Sequence, residues 1–385
     1  MSWFVRGLVT AVTTWRLCLA GAGHVGAGVV SLLHRRHAEI ATRYGADLRL
    51  CGIAELGGCA VGQSGIDLAA VVDTIGAGLP LGAMPGAGRP GMTSRQLIDE
   101  CKPDMLLEAT PVNLTDGEPG LSVVRAALTA GVHVVLANKG PLALCYSELA
   151  GLSDLADGWG SRYRPARDGP GTRPRLRFSA TVAGALPVVN IGCRDLAGDH
   201  ITRIEAIFNG TTHSILRAME RGLTFQDALA DAQARGIAEE DPSLDVSGHD
   251  SACKLVITAN AVLGMPATLA DVSIEGITGI TPADVAAHQA RGQRLILLCL
   301  ASESPGGYDL SVRPSAVPAE HPLARLLPDE MGVVYYTEHL DRLSSASLEP
   351  GPDPASAAMI RDVIDIIRSE TRWPPIPAGS SGAGS

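Results

Sequence analysis

Lysine is scarce in this chain of 385 residues. Of its 31 basic residues only three are lysines, namely Lys102, Lys139 and Lys254. Arginine supplies almost every surface cation, so a retained lysine is a candidate for chemistry that arginine cannot perform. Burial can lower the pKa of an ammonium until it exchanges a proton, whereas a guanidinium stays protonated. The place of Lys139 in the apolar stretch LANKGPLAL, residues 136–144, therefore needs a chemical explanation.

Three other features are absent, and each excludes a class of protein. The eight cysteines are scattered without a CxxC pair, which argues against a disulfide framework or zinc site and favours reduced thiols in the cytoplasm. No apolar run reaches the roughly 18 residues that a membrane span needs. The net charge of −10 is spread along the chain, so neither nucleic acid nor an anionic membrane is expected as a partner.

The length allows two domains. Residues 1–15 are expected to form an extension ahead of the fold, and the Pro/Gly/Ser-rich residues 371–385 a disordered tail. A Gly/Pro-rich variable loop is expected at 151–175, between a first domain at 16–150 and a second domain at 176–345.

Strand and helix patterns alternate through the first domain. Strands are predicted at 17–20, 46–55, 104–110 and 132–140, with a helix after the first strand and another up to Gly131. This alternation predicts an α/β fold with a doubly wound parallel sheet of Rossmann type. In the second domain, strands are predicted at 176–182 and 201–209, and helices at 224–236 and 247–264; a further amphipathic helix is predicted at 353–369.

Three glycines form a nucleotide-binding motif between the first strand and the first helix. Gly21 allows the tight turn, Gly23 lets a pyrophosphate approach the backbone, and Gly26 lets helix and strand pack closely. The N–H groups of His24 and Val25 at the helix start would face the phosphates. The motif predicts binding of NAD or NADP, against the alternative of a glycine turn that serves packing alone.

Glu55, at the end of the second predicted strand, is the candidate ligand of the adenosine ribose. It lies 29 residues after Gly26, where about 20 is usual, and a long intervening helix would explain the excess. No arginine closely follows Glu55, which slightly favours NAD over NADP. The alternative is an ordinary solvated acid at a strand end.

Asp250 and Lys254 are four residues apart on one face of a predicted helix that starts near Ser247. One interpretation is a capping box of Ser247 and Asp250 followed by a surface ion pair. The scarcity of lysine favours the other, a proton-transfer site. The preceding loop, with Glu239 and Asp245, suits a substrate ammonium, or else is a solvated acidic loop.

The segment FNGTTHSIL ends a predicted strand at the start of a helix. Asn209 or Thr211 could be the helix N-cap, which is the commonest reason for this pattern. The same hydroxyls and N–H groups, including that of Gly210, could instead hold a carboxylate.

Together these segments resemble the homoserine dehydrogenase family, in its short form without a C-terminal regulatory domain. The resemblance runs from about residue 16 to 368. It is carried by GAGHVG, EATPVNLTDGEPG, ANKGPLAL, ATVAGALPVVN, FNGTTHSIL and AEEDPSLDVSGHDSACKL. The last segment is the most specific, because its order of three acids and a lysine is unusual elsewhere.

The resemblance implies reversible NAD(P)-dependent hydride transfer between L-homoserine and L-aspartate 4-semialdehyde, in an enzyme of threonine, methionine and isoleucine biosynthesis. It makes Lys254 and Lys139 the active-site lysines, with Lys254 as the acid/base. It implies an α+β substrate domain that forms a homodimer through its sheet, and a return of residues 346–370 to the nucleotide domain. The implied substrate ligands are Glu239, Asp245, Asp250, Asn209, Gly210 and Thr211, and residues near the nicotinamide are Thr110, Asn138 and Lys139.

The family also binds a monovalent cation, sodium or potassium, through backbone carbonyls. Here these would belong to Ser179, Val182, Gly184 and Leu186. The chain departs from the family at four positions. Ser179 replaces a usual glutamate and removes a charge near the cation. Ala183 and Ala185 flank Gly184 in a segment that is usually richer in glycine, and Ile237 stands where an aromatic residue is common beside the substrate.

There are two alternatives to homoserine dehydrogenase, and Ile237 and the two alanines motivate the first. The first is a related NAD(P)-dependent oxidoreductase that acts on another small amino-acid alcohol. The second is a non-catalytic NAD(P)-binding sensor, which the retention of Lys139, Asp250 and Lys254 disfavours.

Overall fold

The structure, a computed structural model, describes residues 12–157, 173–349, 351 and 353–370. The expectations for the first eleven residues, for the greater part of the 151–175 loop and for the tail at 371–385 lie outside the described residues. Thr13–Trp15, expected to precede the fold, belong to the first strand, because the run TTW suits a strand and continues through Arg16 into the apolar residues from Leu17.

Seven strands form the first sheet. They are β1 (Thr13–Ala20), β2 (Ala46–Glu55), β3 (Gly58–Val61), β4 (Gly88–Pro90), β5 (Met105–Glu108), β6 (His133–Leu136) and β7 (Leu176–Arg177). Their order is β4-β3-β2-β1-β5-β6-β7. Strands β2, β1, β5, β6 and β7 are parallel, while β3 and β4 add an antiparallel edge. The parallel core confirms the predicted Rossmann-type sheet.

Helices connect these strands. They are α1 (His24–Tyr44), α2 (Leu68–Gly76), α3 (Ser94–Cys101), α4 (Gly120–Thr129) and α5 (Gly140–Gly151). Helix α1 is 21 residues long, which accounts for the wide spacing between the glycine motif and Glu55. Helix α3 begins with a capping box of Thr93 and Gln96, in which each side chain bonds the other's backbone.

Six strands form the second sheet. They are β8 (Ile201–Ile207), β9 (Val272–Ile274), β10 (Gln293–Ser304), β11 (Gly307–Pro318), β12 (Glu330–Thr337) and β13 (Asp341–Leu348), in the order β13-β12-β8-β10-β11-β9. Its pairs are antiparallel except β11 with β9. Helices α6 (Val188–Asn190), α7 (Gly210–Met219), α8 (Phe225–Ala234), α9 (Ser243–Val246), α10 (His249–Leu263) and α11 (Pro282–Gln289) accompany it.

The last helix, α12 (Asp353–Glu370), packs against α1 of the first domain. Met359, Val363 and Ile366 share one buried cluster with Val29 and Leu33 of α1. Burial of each such side chain contributes about 1.5–3 kcal/mol, so the helix is anchored firmly. The C-terminal segment therefore crosses back to the nucleotide-binding sheet.

The junction of the two sheets differs from the boundary expected at residue 176. Leu176 and Arg177 pair with Val134 and Val135 of β6, so they extend the first sheet. The strand predicted at 176–182 is only two residues long, because Ser179–Thr181 form a short helical turn. So short a strand has too little periodicity to reveal its partner in the sequence. A continuous core then joins the opposite face of the first sheet to the second domain, and helices α5 and α10 meet at this junction.

Candidate active site

The loop between β1 and α1 forms a cradle at the carboxyl end of the parallel strands. Gly21 has a φ of +98°, and a Cβ there would overlap the backbone of Ala109. A Cβ at Gly26 would overlap the carbonyl of Gly21. At Gly23, by contrast, a Cβ would meet no heavy atom within 4 Å. The protein itself therefore excludes a side chain at Gly21 and Gly26, whereas the space beside Gly23 is open to a ligand.

Helix α1 begins directly behind this opening. Its N-cap is Gly23, which has no side chain to bond the first N–H groups, and its first turn carries no acidic residue. His24 is exposed and Val25 half-buried at this end. Such a helix start favours an anion through its N–H groups and dipole. The cradle therefore fits the pyrophosphate of NAD(P), as the glycine spacing predicts.

Glu55 ends β2 beside the cradle and is half-buried. Its Oε1 accepts a hydrogen bond from the backbone N–H of Leu81, where the short turn Leu81–Ala83 begins. The Gly/Pro-rich stretch 74–91 thus holds the carboxylate in place by its backbone. The role of Glu55 at the ribose stays a prediction.

Two lysines from the two halves of the molecule meet at one carboxylate. Lys139 follows β6 as the N-cap of α5, and Lys254 lies in the second turn of α10. Lys139 Nζ is 2.8 Å from Asp250 Oδ1, and Lys254 Nζ is 2.8 Å from Asp250 Oδ2. Lys254 Nζ also donates to the carbonyl of Phe208 at 2.7 Å. The Asp250 side chain is only 7% exposed.

The capping-box interpretation of Asp250 is wrong. Helix α10 is capped by Gly248, with φ +86° and no side-chain bond, and Ser247 Oγ pairs instead with His249 Nδ1. Asp250 lies in the first turn but turns inward because two cations and an amide face it there. The ion pair with Lys254 is therefore largely buried.

Electrostatics hold Asp250 and Lys139 in their charged forms. Burial opposes ionisation of Asp250, yet Lys254 and Lys139 outweigh it and hold the pKa of that carboxyl well below its usual range. Burial likewise opposes the ammonium of Lys139, but Asp250 raises the pKa of Lys139 above its ordinary value. The pKa of Lys139 is therefore raised although burial lowers it, which is the opposite of the lowered pKa that the scarcity of lysine suggested.

Asn209 joins the triad to the second domain. Its Oδ1 accepts the backbone N–H of Thr212 at 2.8 Å, which confirms it as the N-cap of α7. Its Nδ2 donates to Asp245 Oδ1 and to Asp250 Oδ2, each at 2.8 Å. Burial and the charge of Asp250 raise the pKa of Asp245. One amide thus caps a helix and fixes two carboxylates.

The other expected substrate ligands divide into two groups. Thr211 is buried, and its hydroxyl donates to the carbonyl of Ile237 at 3.1 Å; Gly210 precedes it as the first residue of α7. Glu239 is exposed, and its backbone carbonyl accepts a bond from Gln233. The structure therefore gathers Asn209, Gly210 and Thr211 with the carboxylates but leaves Glu239 on the loop surface.

Thr110 and Asn138 lie together at the ends of β5 and β6. Asn138 Nδ2 donates to Thr110 Oγ1 at 3.2 Å, and Asn138 Oδ1 accepts the N–H of Gly140 at 2.9 Å. Both residues contact a carboxyl that the sequence did not single out, Glu108, which is fully buried. Its position as the last residue of a buried strand was the signal that could have revealed it.

The segment expected to bind a cation makes a sharp turn beside the triad. Ala183 and Gly184 have φ values of +54° and +52°, which turn neighbouring carbonyls away from regular structure. The Glu349 carboxylate accepts the N–H of Ala185 at 2.6 Å and occupies the space where Gly184 would carry a Cβ. The carbonyl of Leu186 already accepts the N–H of Val188 at 2.8 Å.

Ser179 stands where the family usually has a glutamate, but a carboxylate from another element of the fold lies beside it. Asp362 of α12 accepts the N–H of Ser179 at 2.7 Å and its hydroxyl at 2.6 Å. Burial raises the pKa of Asp362 to about 6.

Among the described residues, no cluster of three or more His, Cys, Asp and Glu could hold a metal ion. No helix in the described parts of the chain could cross a membrane.

The geometry defines a class of protein. A glycine-lined cradle for NAD(P) stands next to a buried lysine–carboxylate set, which is the arrangement of an NAD(P)-dependent oxidoreductase acting on a small polar substrate. A family model described as the NAD-binding domain of homoserine dehydrogenase matches residues 21–164, and one described as homoserine dehydrogenase matches residues 187–364.

Individual relatives and a solved structure point to the same family. An NAD(+)-dependent homoserine dehydrogenase of Pseudomonas canavaninivorans is 32% identical over 94% of this chain and 98% of the relative. A homoserine dehydrogenase of Methanocaldococcus jannaschii is 33% identical over 92% and 98%. A crystal structure of a homoserine dehydrogenase from Thiobacillus denitrificans superposes with a TM-score of 0.76 at 27% identity, covering 94% of this chain and 76% of the other. The chain belongs to the homoserine dehydrogenase family and is an NAD(P)-dependent oxidoreductase.

Proposed function

We propose that the chain interconverts L-homoserine and L-aspartate 4-semialdehyde at the Lys139–Asp250–Lys254 triad. The observation that carries this proposal is the bridge that Asp250 makes between a lysine of the nucleotide-binding half and a lysine of the substrate half. It sets two ammonium groups where the cofactor cradle and the second domain meet.

Lys254 is the proposed acid/base. An ammonium has three N–H bonds, and the contacts of Lys254 with Phe208 and Asp250 use two of them. The third is then available to the substrate oxygen. Lys254 gives a proton to that oxygen during reduction and takes it back as an amine during oxidation. NAD(P), when bound, supplies the hydride acceptor or donor.

Lys139 orients the same oxygen and stabilises negative charge that develops on it. Asp250 keeps Lys139 charged and aimed, because their atoms are 2.8 Å apart in a nearly closed site. Asn209 fixes Asp245, a carboxylate suited to the substrate ammonium, while the backbone N–H groups of Gly210 and Thr211 at the start of α7 suit the substrate carboxylate. Glu239 is on the loop surface and would contact the substrate only after an inward movement of its loop.

The decisive test is formation of NAD(P)H from L-homoserine at alkaline pH, with Lys254→Arg beside Lys102→Arg. Arginine keeps the charge but cannot exchange the proton, so Lys254→Arg should lower kcat by about 10²–10⁴-fold. Lys102 is exposed at the end of α3, so its substitution should leave kcat unchanged. Full activity of Lys254→Arg would refute the acid/base role. Turnover of another amino alcohol but not L-homoserine would favour the related-oxidoreductase alternative.

NAD is the proposed preferred cofactor. The Glu55 carboxylate is held by Leu81, so a 2′-phosphate would meet a fixed negative charge. The relative from Pseudomonas canavaninivorans is NAD(+)-dependent. We expect kcat/KM for NAD to exceed that for NADP at least about tenfold, since like charges in contact cost several kcal/mol. Glu55→Gln should lower the ratio of kcat/KM for NAD to kcat/KM for NADP. An unchanged ratio would show that Glu55 does not select the cofactor.

A monovalent cation is proposed at the carbonyls of Ser179, Val182, Gly184 and Leu186. The turn at Ala183–Gly184 and the adjoining carboxylate of Glu349 support it. Potassium or sodium chloride should raise the melting temperature more than tetramethylammonium chloride at equal ionic strength. Equal melting temperatures in the three salts would count against the site.

The assembly is proposed to be a cytoplasmic homodimer. It would form through the second sheet, which has β13 at one edge and β9 at the other. Residues 16–150 with the returning helix α12 would act as the nucleotide domain of each copy, whereas residues 346–348, expected to return with it, belong to β13 of the second sheet. All eight cysteines are free in the structure, in keeping with a reducing compartment. Sedimentation equilibrium at the mass of one chain would refute the dimer.

A further inference from the structure

Glu108 is a buried acid to which the proposed reaction assigns no role. It is the last residue of β5 and has no exposed surface. Its Oε1 accepts the N–H of Thr110 at 2.9 Å and the Thr110 hydroxyl, while its Oε2 is buried with no hydrogen-bond partner among the described residues. Burial of a carboxyl with an unsatisfied oxygen is costly, so its presence requires a compensating role.

The contacts of Glu108 lead to the active-site lysine in three steps. Thr110, fixed by Glu108, accepts Asn138 Nδ2 at 3.2 Å. Asn138 Oδ1 accepts the N–H of Gly140 at 2.9 Å, at the first residue of α5. Lys139, between these two residues, reaches Asp250 at 2.8 Å. Glu108 is thus linked, through Thr110 and Asn138, to the backbone on both sides of Lys139.

Helix α4 packs closely against Glu108 and Asn138 and restricts their movement. A Cβ at Gly120 would meet Asn138 Nδ2 at 2.6 Å and Glu108 Oε1 at 3.2 Å, so α4 closes over the pair. Burial raises the pKa of Glu108 to about 7, and bonds from Thr110 and Asn138 oppose that rise. The carboxyl is thus held by two neutral partners, in contrast to Asp250, which is held by two cations.

We infer that Glu108 is a positioning residue of the active site, which sets Thr110 and Asn138 and, through Asn138, the place of Lys139. The inference rests on the proposed function, because Thr110 and Asn138 are expected beside the nicotinamide. A carboxyl that only closes a local turn at the end of β5 would stabilise the fold without affecting turnover.

The experiment compares Glu108→Gln with Glu108→Leu in the full chain. Glutamine keeps an oxygen at the place of Oε1, whereas leucine removes the acceptor at similar volume. Glu220→Leu is the matched control, because Glu220 is 8% exposed, pairs with Arg294 and lies at the opposite end of α7 from Asn209. We measure kcat, the KM for L-homoserine, the melting temperature and the fluorescence emission of bound NADH.

Glu108→Leu should lower kcat by about tenfold or more with little change in KM, because a small displacement of a reacting group can cost about 10²-fold. Glu108→Gln should restore kcat to within a few-fold of wild type. In a Lys139→Ala background, or Lys139→Arg if activity becomes undetectable, Glu108→Leu should have little further effect, since both changes act through one group. Glu220→Leu should lower the melting temperature and leave kcat unchanged.

Three results would overturn the inference: unchanged kcat in Glu108→Leu, equal loss in Glu108→Gln and Glu108→Leu, or full additivity with Lys139→Ala. If wild type does not turn over L-homoserine, the proposed function fails and the NADH measurement still decides this inference. Emission of bound NADH should then change in Glu108→Leu and not in Glu108→Gln or Glu220→Leu, and identical emission in all variants would refute the inference.

Discussion

The cofactor end and the substrate end of the site consist of different chemical groups. At the cofactor end the backbone dominates: Gly21, Gly23 and Gly26 shape the loop before α1, and no side chain caps the first N–H groups of that helix. At the substrate end charged side chains dominate, and Lys139, Asp250 and Lys254 form one buried set. The cofactor end should therefore be sensitive to added atoms, and the substrate end to lost charges.

This difference matches the tasks of the two ends. A pyrophosphate carries its charge with it, so uncharged N–H groups suffice to bind it and cost little when the cofactor leaves. A proton transfer needs groups that change charge in place, and these must remain balanced before and after the step. Asp250 provides that balance by touching both lysines.

The largest effect should follow from removing the charge that both lysines share. Asp250→Asn leaves two partly buried cations without their carboxylate, and loss of one partner of a buried pair costs about 3–5 kcal/mol. Activity should disappear with it. Because the lysines depress the pKa of Asp250, the stability difference should be fully present above the unfolded pKa of about 3.9 and shrink as the pH falls below it.

Urea unfolding of wild type and Asp250→Asn across acid and neutral pH measures this difference. Asp362→Asn is the control, because that buried carboxyl is bonded to neutral Ser179. It should cost less stability at neutral pH. A loss that is equal in the two variants, or constant from neutral to acid pH, would show that the triad is not the electrostatic centre of the substrate end.

A second pair of variants separates folding from cofactor binding at the glycine loop. Gly21→Ala forces a φ of +98° on alanine and overlaps the backbone of Ala109, so it should cost about 1–3 kcal/mol of stability and abolish NADH binding. Gly23→Ala meets no atom of the protein within 4 Å. It should fold as wild type and lose only NADH affinity, measured by fluorescence titration. Retained affinity in Gly23→Ala would place the pyrophosphate elsewhere.

The sequence predicted the cofactor end better than the substrate end, for a physical reason. Glycine spacing and strand–helix alternation are local patterns, so β1, α1 and β2 follow from adjacent residues. Asp250 shows the opposite case. Its local spacing to Ser247 and Lys254 suited a capping box and a surface pair, and only contact with Lys139, far away in the chain, makes it the centre of the site.

Further features of the fold and the site also depended on distant partners. The long hairpin β10–β11 and the antiparallel pair β12–β13 were not predicted. Strands β10, β11 and β12 contain buried runs without strict alternation, and β13 alternates only between exposed and half-buried positions. Glu108 gave no motif of its own, because its importance comes from the buried neighbours Thr110 and Asn138. The strand β7 likewise needed β6 beside it to form.

The smallest expected effect lies at Gly184, where the substrate end uses backbone shape as the cofactor end does. Gly184→Ala places a Cβ against the Glu349 carboxylate at a φ of +52°. The left-handed conformation alone costs alanine about 1–2 kcal/mol. We expect a modest fall in melting temperature and a rise in the KM for L-homoserine, with NADH affinity unchanged. The double variant Gly184→Ala/Glu349→Ala should recover part of the stability, because the overlap is then relieved. If Gly184→Ala weakens NADH binding as strongly as Gly23→Ala does, the two ends are not separable and the division between a backbone-built and a charge-built half is wrong.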